Sequence, residues 1–248
     1  MTQRLYLEDA YATRAEALVT AHTPEGGIIV DRSVFYPTGG GQPGDSGRIE
    51  WTDGAGRTSR MEIATAIKSD AFAIALIPAE PAALPPIGTR VLQIVDADRR
   101  LGHMRVHTAL HLLSVVIPLP VTGGSISAEK GRLDFDMADP PQDKSVLEGD
   151  LNALIWSDLP VSDKWITDAE FRATPQLVKT IAVAPPIGEG KVRLIRIGEE
   201  GSEPIDLQPC GGTHVATTGE IGAIRVGKIE KKGRQNRRVT IHLAAREG

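Results

Sequence analysis

The sequence predicts an α+β protein in which a small antiparallel β-barrel at residues 1–97 precedes an α+β domain at residues 98–248. Two observations lead to this prediction. Short apolar runs separated by turn-forming residues recur through the first hundred or so residues, as in small barrels. Beyond residue 97 the apolar pattern takes the helical period, and more strand-like runs follow the helices. At roughly 100–200 residues per domain, 248 residues allow two domains.

The predicted barrel strands are short apolar runs between turns. They occupy residues 17–19, 28–30, 49–51, 61–67, 72–77 and 91–95. Segments rich in glycine, proline and aspartate separate several of them. The proline-rich segment 78–86 resembles a linker, but residues 91–95 still look like a barrel strand. The domain boundary is therefore expected near residue 97.

The second domain is predicted to combine two helices with five strands. The first helix is expected to begin with Asp98 as its cap and to end near Ile117, before two prolines. The second is expected at residues 144–158, where four apolar side chains share one face. The predicted strands lie at residues 133–137, 161–166, 192–197, 221–229 and 238–243.

Composition excludes several classes of protein. With 41% hydrophobic and 24% charged residues, the chain can bury a core and is not a disordered protein. It contains no apolar run of membrane-helix length and no secretory signal, so no membrane association is expected. Its only cysteine, Cys210, cannot form an internal disulfide, which favours a cytoplasmic location. Aromatic residues make up only 4%, which disfavours a base-stacking platform.

Two pairs of residues have the spacing of metal ligands. His107 and His111 form an HxxxH pair on the first predicted helix, and Cys210 and His214 form a CxxxH pair. Either pair alone is more often structural, but together they supply the three nitrogens and one thiolate that zinc prefers. The sequence therefore predicts one zinc ion per chain. His103 lies on the same helix face and could be a fifth ligand, a residue that supports a ligand or an exposed residue. The last two are favoured because the two pairs already supply four ligands.

A glycine-rich segment at residues 35–43 is the second unusual feature. Three successive glycines let backbone N–H groups approach a ligand closely. The segment is not a Walker loop, so an ATP-binding motif is absent. A flexible turn and a loop that contacts a polar substrate are equally compatible with it. The candidate substrate-binding residues are Thr38, Gly39, Gly40, Gly41 and Gln42.

The C-terminal segment concentrates positive charge in a chain whose net charge is -4. Residues 222–248 contain eight basic and two acidic residues. A solvated hairpin is the default interpretation of such a run, but charge gathered at a turn can also bind phosphates. The candidate nucleic-acid-binding residues are Lys228, Lys231, Lys232, Arg234, Arg237 and Arg238.

Five motifs occur in the order of a known family. They are FYPTGGGQPGDSG (35–47), HTALHLLS (107–114), GRLDFD (131–136), DLQPCGGTHV (206–215) and TGEIGAIRVGKIEKKGRQNRRV (218–239). Together they resemble the editing region of alanyl-tRNA synthetase and its free-standing relatives, the AlaX alanyl-tRNA editing proteins. The resemblance runs from about residue 8 to residue 243. Because no aminoacylation or C-terminal oligomerisation domain is present, a free-standing protein of medium length is expected.

The resemblance implies a deacylase that acts in trans on tRNA(Ala) wrongly charged with serine and sometimes glycine. It also implies a barrel followed by an editing domain shared with threonyl-tRNA synthetase. The implied zinc ligands are His107, His111, Cys210 and His214, and Thr38 matches a loop threonine thought to sense the seryl hydroxyl. One departure is that Thr122 stands where synthetases often have a glutamine. A catalytic role of that glutamine therefore does not transfer.

The chemistry implied is hydrolysis of an ester between an amino acid and the terminal ribose. A zinc ion can lower the pKa of bound water from about 15.7 to about 7, or polarise the ester carbonyl. Four protein ligands, however, normally indicate a closed structural site. Either one ligand (Cys210 or His214) is loose and the substrate enters the coordination sphere, or zinc holds the pocket while another group orients water. A zinc ion that orients the aminoacyl end is favoured. The expected catalytic residues are Thr38, His107 and His111.

Two other functions compete with this one. A zinc peptidase or amidase is disfavoured because HxxxH lacks the glutamate of HExxH. A non-catalytic tRNA-binding module with a structural zinc stays open from sequence alone. The expected partner is mischarged tRNA(Ala), and the expected oligomeric state is a monomer.

Overall fold

The computed structural model describes residues 1–141, 143–174, 177 and 190–244. The chain divides into two compact units, Met1–Leu101 and Gly102–Gly248, called here the barrel unit and the second unit. No helix within the described ranges is long and apolar enough to cross a membrane.

The barrel unit contains a closed six-stranded barrel in the order β2-β3-β7-β6-β5-β8, with every neighbouring pair antiparallel. The barrel strands are β2 (Arg14–His22), β3 (Ile28–Val30), β5 (Gly47–Thr52), β6 (Thr58–Lys68), β7 (Ile74–Pro78) and β8 (Arg90–Val95). Outside it lie α1 (Leu5–Glu8) and the short parallel pair β1 (Gln3–Arg4) and β4 (Arg32–Ser33). The predicted N-terminal antiparallel barrel is confirmed.

Alternation of side chains along the strands explains why the barrel has an apolar interior. Along β6, Met61 and Ile63 are buried and their neighbours face outward. Strand β8 closes the barrel by pairing Val91 with Ala17 of β2 and Gln93 with Ile49 of β5. Buried aliphatic residues from all six strands thereby fill one core. Because one face of each strand is apolar, the register of pairing is fixed.

Helix α2 (Ala97–Val116) follows the barrel directly. Its first turn is capped by Asp96, whose Oδ1 accepts a hydrogen bond of 3.1 Å from the backbone N–H of Arg99. Asp98 lies inside the first turn, where a carboxylate is favourable because of the helix dipole. The predicted helix is confirmed, but the predicted cap at Asp98 is wrong by two residues.

Among the described residues, the second unit has two antiparallel sheets, one in the order β14-β15-β10-β9 and one in the order β11-β12-β13. Their strands are β9 (Val121–Ile126), β10 (Lys130–Asp136), β11 (Val161–Thr167), β12 (Lys191–Ile197), β13 (Asp206–Pro209), β14 (Ile224–Gly233) and β15 (Asn236–Leu243). Two further helices are α3 (Lys144–Trp156) and α4 (Asp168–Arg172). This mixture confirms the predicted α+β class.

Helices pack on one face of the four-stranded sheet. A Cβ added at Gly131 of β10 would lie 2.6 Å from Val106 and 3.0 Å from Leu110, so α2 sits directly on that strand. Asn152 of α3 accepts from and donates to the main chain of Ile224 at the start of β14, in both cases at 3.0 Å. The opposite face of this sheet carries the polar residues of the same strands.

Two strand predictions need correction, and two strands are missing from the prediction. The segment predicted as a strand from residue 221 begins instead with a 3₁₀ turn at Thr218–Ile221, and the strand starts at Ile224. The run predicted from residue 72 also begins with such a turn, at Asp70–Phe72. Strands β9 and β13 were not predicted at all. The sequence of β9 contains two adjacent glycines, and β13 has only four residues.

Candidate functional site

The structure brings together the four predicted metal ligands. His107 and His111 are one turn apart on α2, and Cys210 and His214 lie in the segment directly after β13. All four ligand atoms lie within 4.8 Å of one another. Cys210 Sγ is 3.5 Å from His107 Nε2 and 3.3 Å from His214 Nε2. We call this group the His/Cys cluster.

The cluster has the geometry of a four-coordinate metal site. Ligands about 2.0–2.3 Å from an ion at tetrahedral angles are separated by about 3.3–3.6 Å, which matches the measured sulfur–nitrogen distances. The three histidines are buried and Cys210 is half-buried. The cluster can therefore hold one metal ion, with the cysteine as the most accessible ligand.

Polar side chains behind the cluster fix the orientation of two histidine rings. His111 Nδ1 is 2.7 Å from Oδ2 of Asp206, a carboxylate that is only 1% exposed. His214 Nδ1 is 3.1 Å from the Thr108 hydroxyl. The amide of Gln208 donates to the same Asp206 oxygen at 2.8 Å. Because the Nδ1 atoms are engaged in this way, the Nε2 atoms are left to face the ligand position.

The cluster also shifts the pKa values of its own groups. Burial alone would lower the pKa of His111, but hydrogen bonds to Asp206 and Cys210 outweigh burial and raise that pKa to about 9. Burial and the charge of His107 lower the pKa of His214 to about 3. Burial would raise the pKa of the Cys210 thiol, but the neighbouring histidines hold it well below its ordinary value. The lowered pKa values favour the thiolate of Cys210 and the neutral imidazole of His214, which are the forms that bind metals, whereas a metal would displace a proton from His111 on binding.

A buried arginine holds the loop that carries Cys210. The guanidinium of Arg193, on β12, donates to the carbonyl of Gly212 at 2.8 Å. The main chain of Arg193 accepts from the N–H of Cys210 at 3.1 Å. A Cβ added at Gly211 would meet no atom within 4 Å, so one side of this loop borders open space.

The prediction of the ligands missed the residues that orient them. Asp206 and Gln208 precede Cys210 by four and two positions. In an extended chain, alternate residues point to the same side, so this spacing was a usable signal. Thr108 and Arg193 gave no comparable signal in the sequence. His103, expected to support a ligand or to be exposed, is only 1% exposed and lies outside the cluster, so exposure is excluded.

In the barrel unit, the glycine-rich segment forms a tight turn. Gly39 and Gln42 exchange two backbone hydrogen bonds of 3.0 and 3.1 Å, and Gly40 and Gly41 between them have φ values of 59° and 83°. Positive φ at both central positions is typical of a type I′ turn, which explains two of the three glycines. Thr38 and the two central glycines are exposed, whereas Gln42 is buried.

The hydroxyl of Thr38 already has partners inside the loop. It accepts from the N–H of Gly44 at 2.9 Å and lies 3.3 Å from the carbonyl of Ala66, to which it can donate. A hydroxyl has two acceptor lone pairs, so one stays open to a ligand. A Cβ at Gly44 would overlap the Ala66 carbonyl, so only glycine fits there.

A buried ion pair closes the base of this loop. Asp45 accepts from the N–H of Tyr36 at 2.6 Å and from Arg100 Nε at 2.9 Å, and both charged side chains are 1% exposed. The guanidinium also donates to the carbonyls of Ala10 at 2.9 Å and Val34 at 2.6 Å. Tyr36 and Asp45, at the two ends of the loop, are therefore held together by hydrogen bonds in which each donor has an acceptor.

The basic hairpin consists of β14, β15 and the turn between them. Lys228, Lys231, Lys232 and Arg234 are exposed. Arg238 forms two hydrogen bonds to Asp134, at 2.7 and 2.8 Å. Arg237 is different because it is buried and donates to backbone carbonyls, including those of Gly233 and Asn236. Arg246, the last of the eight basic residues counted in the sequence, lies outside the described residues.

Comparison with known proteins agrees with this geometry. The family model described as "Threonyl and Alanyl tRNA synthetase second additional domain" matches residues 192–240. The chain is 32% identical over 248 residues to an alanyl-tRNA editing protein AlaX-M of Methanosarcina acetivorans, covering 98% of this chain and 99% of that protein. It is 30% identical over 247 residues to an alanyl-tRNA editing protein AlaX-L of Pyrococcus horikoshii, covering 94% and 56%. It is also 34% identical over 241 residues to an alanine–tRNA ligase of Korarchaeum cryptofilum, covering 93% of this chain and 25% of the ligase.

The barrel unit and the second unit, which carries the His/Cys cluster, define an α+β protein. The second unit contains the segment that matches the tRNA-synthetase additional domain. The chain belongs to the family of alanyl-tRNA editing proteins. This confirms the resemblance found in the sequence motifs.

Proposed function

We propose that this chain is a zinc-dependent hydrolase that removes serine, and glycine by the same chemistry, from wrongly charged tRNA(Ala). Water would add to the ester carbonyl, the bond to the ribose oxygen would break, and the free amino acid and intact tRNA would leave. The observation that carries this proposal is the His/Cys cluster, within a family whose members are named alanyl-tRNA editing proteins.

The donor set supports zinc as the metal. Three imidazoles and one thiolate suit zinc better than magnesium or calcium, which prefer oxygen ligands. When bound, zinc would supply a positive centre that polarises the ester carbonyl or acidifies water. His107 and His111 would hold the ion from α2, and Cys210 and His214 would complete its ligands.

The chain's own residues would keep this centre rigid. Asp206 fixes the ring of His111 and Thr108 fixes that of His214, so neither histidine can rotate away without losing a buried hydrogen bond. Cys210 is the half-buried member and its loop borders open space at Gly211. We propose that the aminoacyl group approaches from this side.

We propose that the glycine-rich loop contributes to the choice between serine and alanine. Thr38 is exposed, its hydroxyl has one open acceptor position, and its two internal hydrogen bonds hold it in one orientation. It could accept a hydrogen bond from a seryl hydroxyl, which alanine lacks. Gly39, Gly40 and Gly41 would give close backbone access, and the buried Gln42 would support the turn.

We propose that the basic hairpin binds the phosphates of tRNA. Its exposed lysines and arginine, at positions 228, 231, 232 and 234, are the contacts we expect. Arg238 would contribute its remaining donors, whereas Arg237, whose guanidinium binds backbone carbonyls, would shape the hairpin. We further propose a monomer that works in the cytoplasm, where the free thiol of Cys210 stays reduced.

The decisive experiment is single-turnover hydrolysis of Ser-tRNA(Ala) beside Ala-tRNA(Ala), before and after removal of zinc with a chelator. We expect rapid loss of serine alone, abolished by chelation and restored by zinc. The His107→Ala variant should lose both metal and activity, and an active metal-free variant would contradict the proposal.

The four protein ligands favour one second candidate, a tRNA-binding module with a structural zinc, because closed sites usually stabilise a fold. That function predicts tight binding of Ser-tRNA(Ala) without cleavage and unfolding on chelation. The same experiment, followed by circular dichroism, separates the two.

A further inference from the structure

The four-stranded sheet of the second unit carries a polar groove on the face away from its helices. The groove has a volume of about 410 Å³ and is lined by residues of β9, β10, β14 and β15. Five of its side chains are those of basic residues, namely Lys130, Arg132, Lys228, Arg238 and His242. Glu230 is the one acidic residue among the lining side chains of the described structure.

Strand register explains why these side chains share one face. Lys130 pairs with His242, and Arg132 pairs with Thr240 on one side and Ser125 on the other. Gly131, between the two basic residues of β10, points the other way and packs under α2. Strict alternation along β10 and β15 therefore places an apolar row inside and a basic row outside.

The charges in the groove are not cancelled. Asp134 binds both Arg238, at 2.7 Å, and Arg132, at 3.2 Å, so one carboxylate holds two guanidinium groups in place. Arg238 in turn holds the pKa of Asp134 below its ordinary value, which keeps that carboxylate ionised. Lys130 and Lys228 are exposed, and neither has an ion pair with any residue in the described ranges. The net charge of the groove side chains is therefore positive.

The floor of the groove requires a small residue. A Cβ added at Gly227 of β14 would lie 2.8 Å from Nε2 of His242, so the imidazole packs directly on the glycine. A larger residue would push the imidazole outward and narrow the groove. The hydroxyls of Ser125 and Thr240 add uncharged donors to the same lining.

We propose that this groove binds the phosphodiester backbone of the tRNA substrate, with Lys130 and Lys228 as its principal phosphate contacts. The inference rests on the proposed function and extends it to a sheet face that lies beyond the hairpin tip. Basic side chains with hydroxyl donors are the groups that bind nucleic-acid backbones, and such contacts position the ligand without reading its sequence. Glu230 of the groove lies 3.8 Å from the ammonium of Lys232, so the groove borders the exposed basic tip of the hairpin, which favours a long polyanion over a single phosphate.

The test is the affinity of the Lys130→Gln/Lys228→Gln double variant for uncharged tRNA(Ala), measured over a range of salt concentrations. Loss of two phosphate contacts should weaken binding on the order of ten- to fiftyfold near 0.1 M salt. The slope of log affinity against log salt should fall by roughly 1.4–1.8. An unrelated tRNA should show the same loss, because backbone contacts do not depend on sequence.

The matched control is Lys164→Gln/Lys191→Gln, which removes two exposed lysines from β11 and β12 of the same unit. This pair should bind tRNA as the wild type does. The control pair should also hydrolyse a seryl ester of adenosine, which has no tRNA body, at the wild-type rate.

If the double variant of the groove binds tRNA with the affinity and salt dependence of the control pair, the groove inference is wrong even where the wild type cleaves Ser-tRNA(Ala). If the wild type binds tRNA through these lysines but cleaves no ester, the groove inference is supported and the proposed hydrolase function is wrong. The two failures are therefore separated by one set of proteins.

Discussion

The Asp206→Asn variant would test whether the carboxylate that contacts the His111 ring controls the affinity of the cluster for zinc. In the wild type, Asp206 Oδ2 lies 2.7 Å from His111 Nδ1, and both side chains are buried. The Asp206→Asn change keeps the size of the side chain and removes its negative charge. The charge-assisted hydrogen bond would become a neutral one of about half the strength.

The expected magnitude follows from the surroundings of this contact. Loss of the partner of a metal-binding histidine typically weakens metal binding about 10- to 100-fold, which is about 1.4–2.7 kcal/mol. Gln208 lies 3.1 Å from His111 Nδ1 and could turn its amide oxygen toward that nitrogen. Because of this compensation, we expect the Asp206→Asn single variant to lose about tenfold in zinc affinity. The Asp206→Asn/Gln208→Leu double variant removes it and should approach 100-fold.

The assay is competition for zinc between the protein and a chelator of known affinity. Single-turnover hydrolysis of Ser-tRNA(Ala) at saturating zinc then tells whether the carboxylate acts through the metal alone. The control is Asp150→Asn, which removes an exposed carboxylate from α3 of the same unit and should leave zinc affinity unchanged.

A zinc affinity of Asp206→Asn equal to that of the control would refute the reasoning. It would mean that the ring of His111 is held by packing rather than by its buried partner. Weaker zinc binding with full activity at saturating zinc would instead limit Asp206 to positioning the ligand.

Three further predictions follow from the barrel unit and the hairpin. Thr38→Val should lower the ratio of serine to alanine hydrolysis by about two- to tenfold, since one neutral hydrogen bond contributes about 0.5–1.5 kcal/mol; an unchanged ratio would remove Thr38 from substrate selection. Arg100→Met leaves Asp45 buried without its countercharge and should destabilise the fold by about 3–5 kcal/mol in urea unfolding; a loss below 1 kcal/mol would show that water reaches the carboxylate. Arg238 lowers the pKa of Asp134, so the ionised carboxylate stabilises the folded state above its ordinary pKa near 3.9, and this contribution disappears as the pH falls through the lowered value. Urea unfolding at pH 7 and at a pH below that lowered pKa should therefore separate wild type from Asp134→Asn only at the higher pH.

The elements that could be predicted from the sequence are those whose apolar period is long enough to read. Six runs between turns gave the barrel, and the helical period gave α2 and α3. Strand β9 escaped prediction because Gly123 and Gly124 look like turn residues, yet Gly124 pairs with Leu133 inside the sheet. Its strand conformation is imposed by its neighbour rather than by its own sequence.

Charge counting located the basic hairpin but could not assign a role to each residue. Arg237 and Arg238 are adjacent and alike in sequence, yet one is buried against backbone carbonyls and the other pairs with Asp134. Alternation along β15 sends them to opposite faces, so only the strand register distinguishes them. The outer groove was missed for the same reason, since Lys130 and Lys228 come together only through the pairing of separate strands.

The residues behind the metal ligands show where sequence reasoning can be extended. Cys210 follows a strand directly, and Asp206 and Gln208 are the alternate residues before it. In an extended chain these three side chains point to one side, and that side faces the helix that carries the other ligands. A carboxylate four residues before a cysteine ligand that directly follows a strand is thus placed to reach a histidine on that helix. Cys210 belongs to two spacings. Cys-x-x-x-His, which runs forward from it, specifies the ligands, and Asp-x-Gln-x-Cys, which precedes it, specifies the groups that orient them.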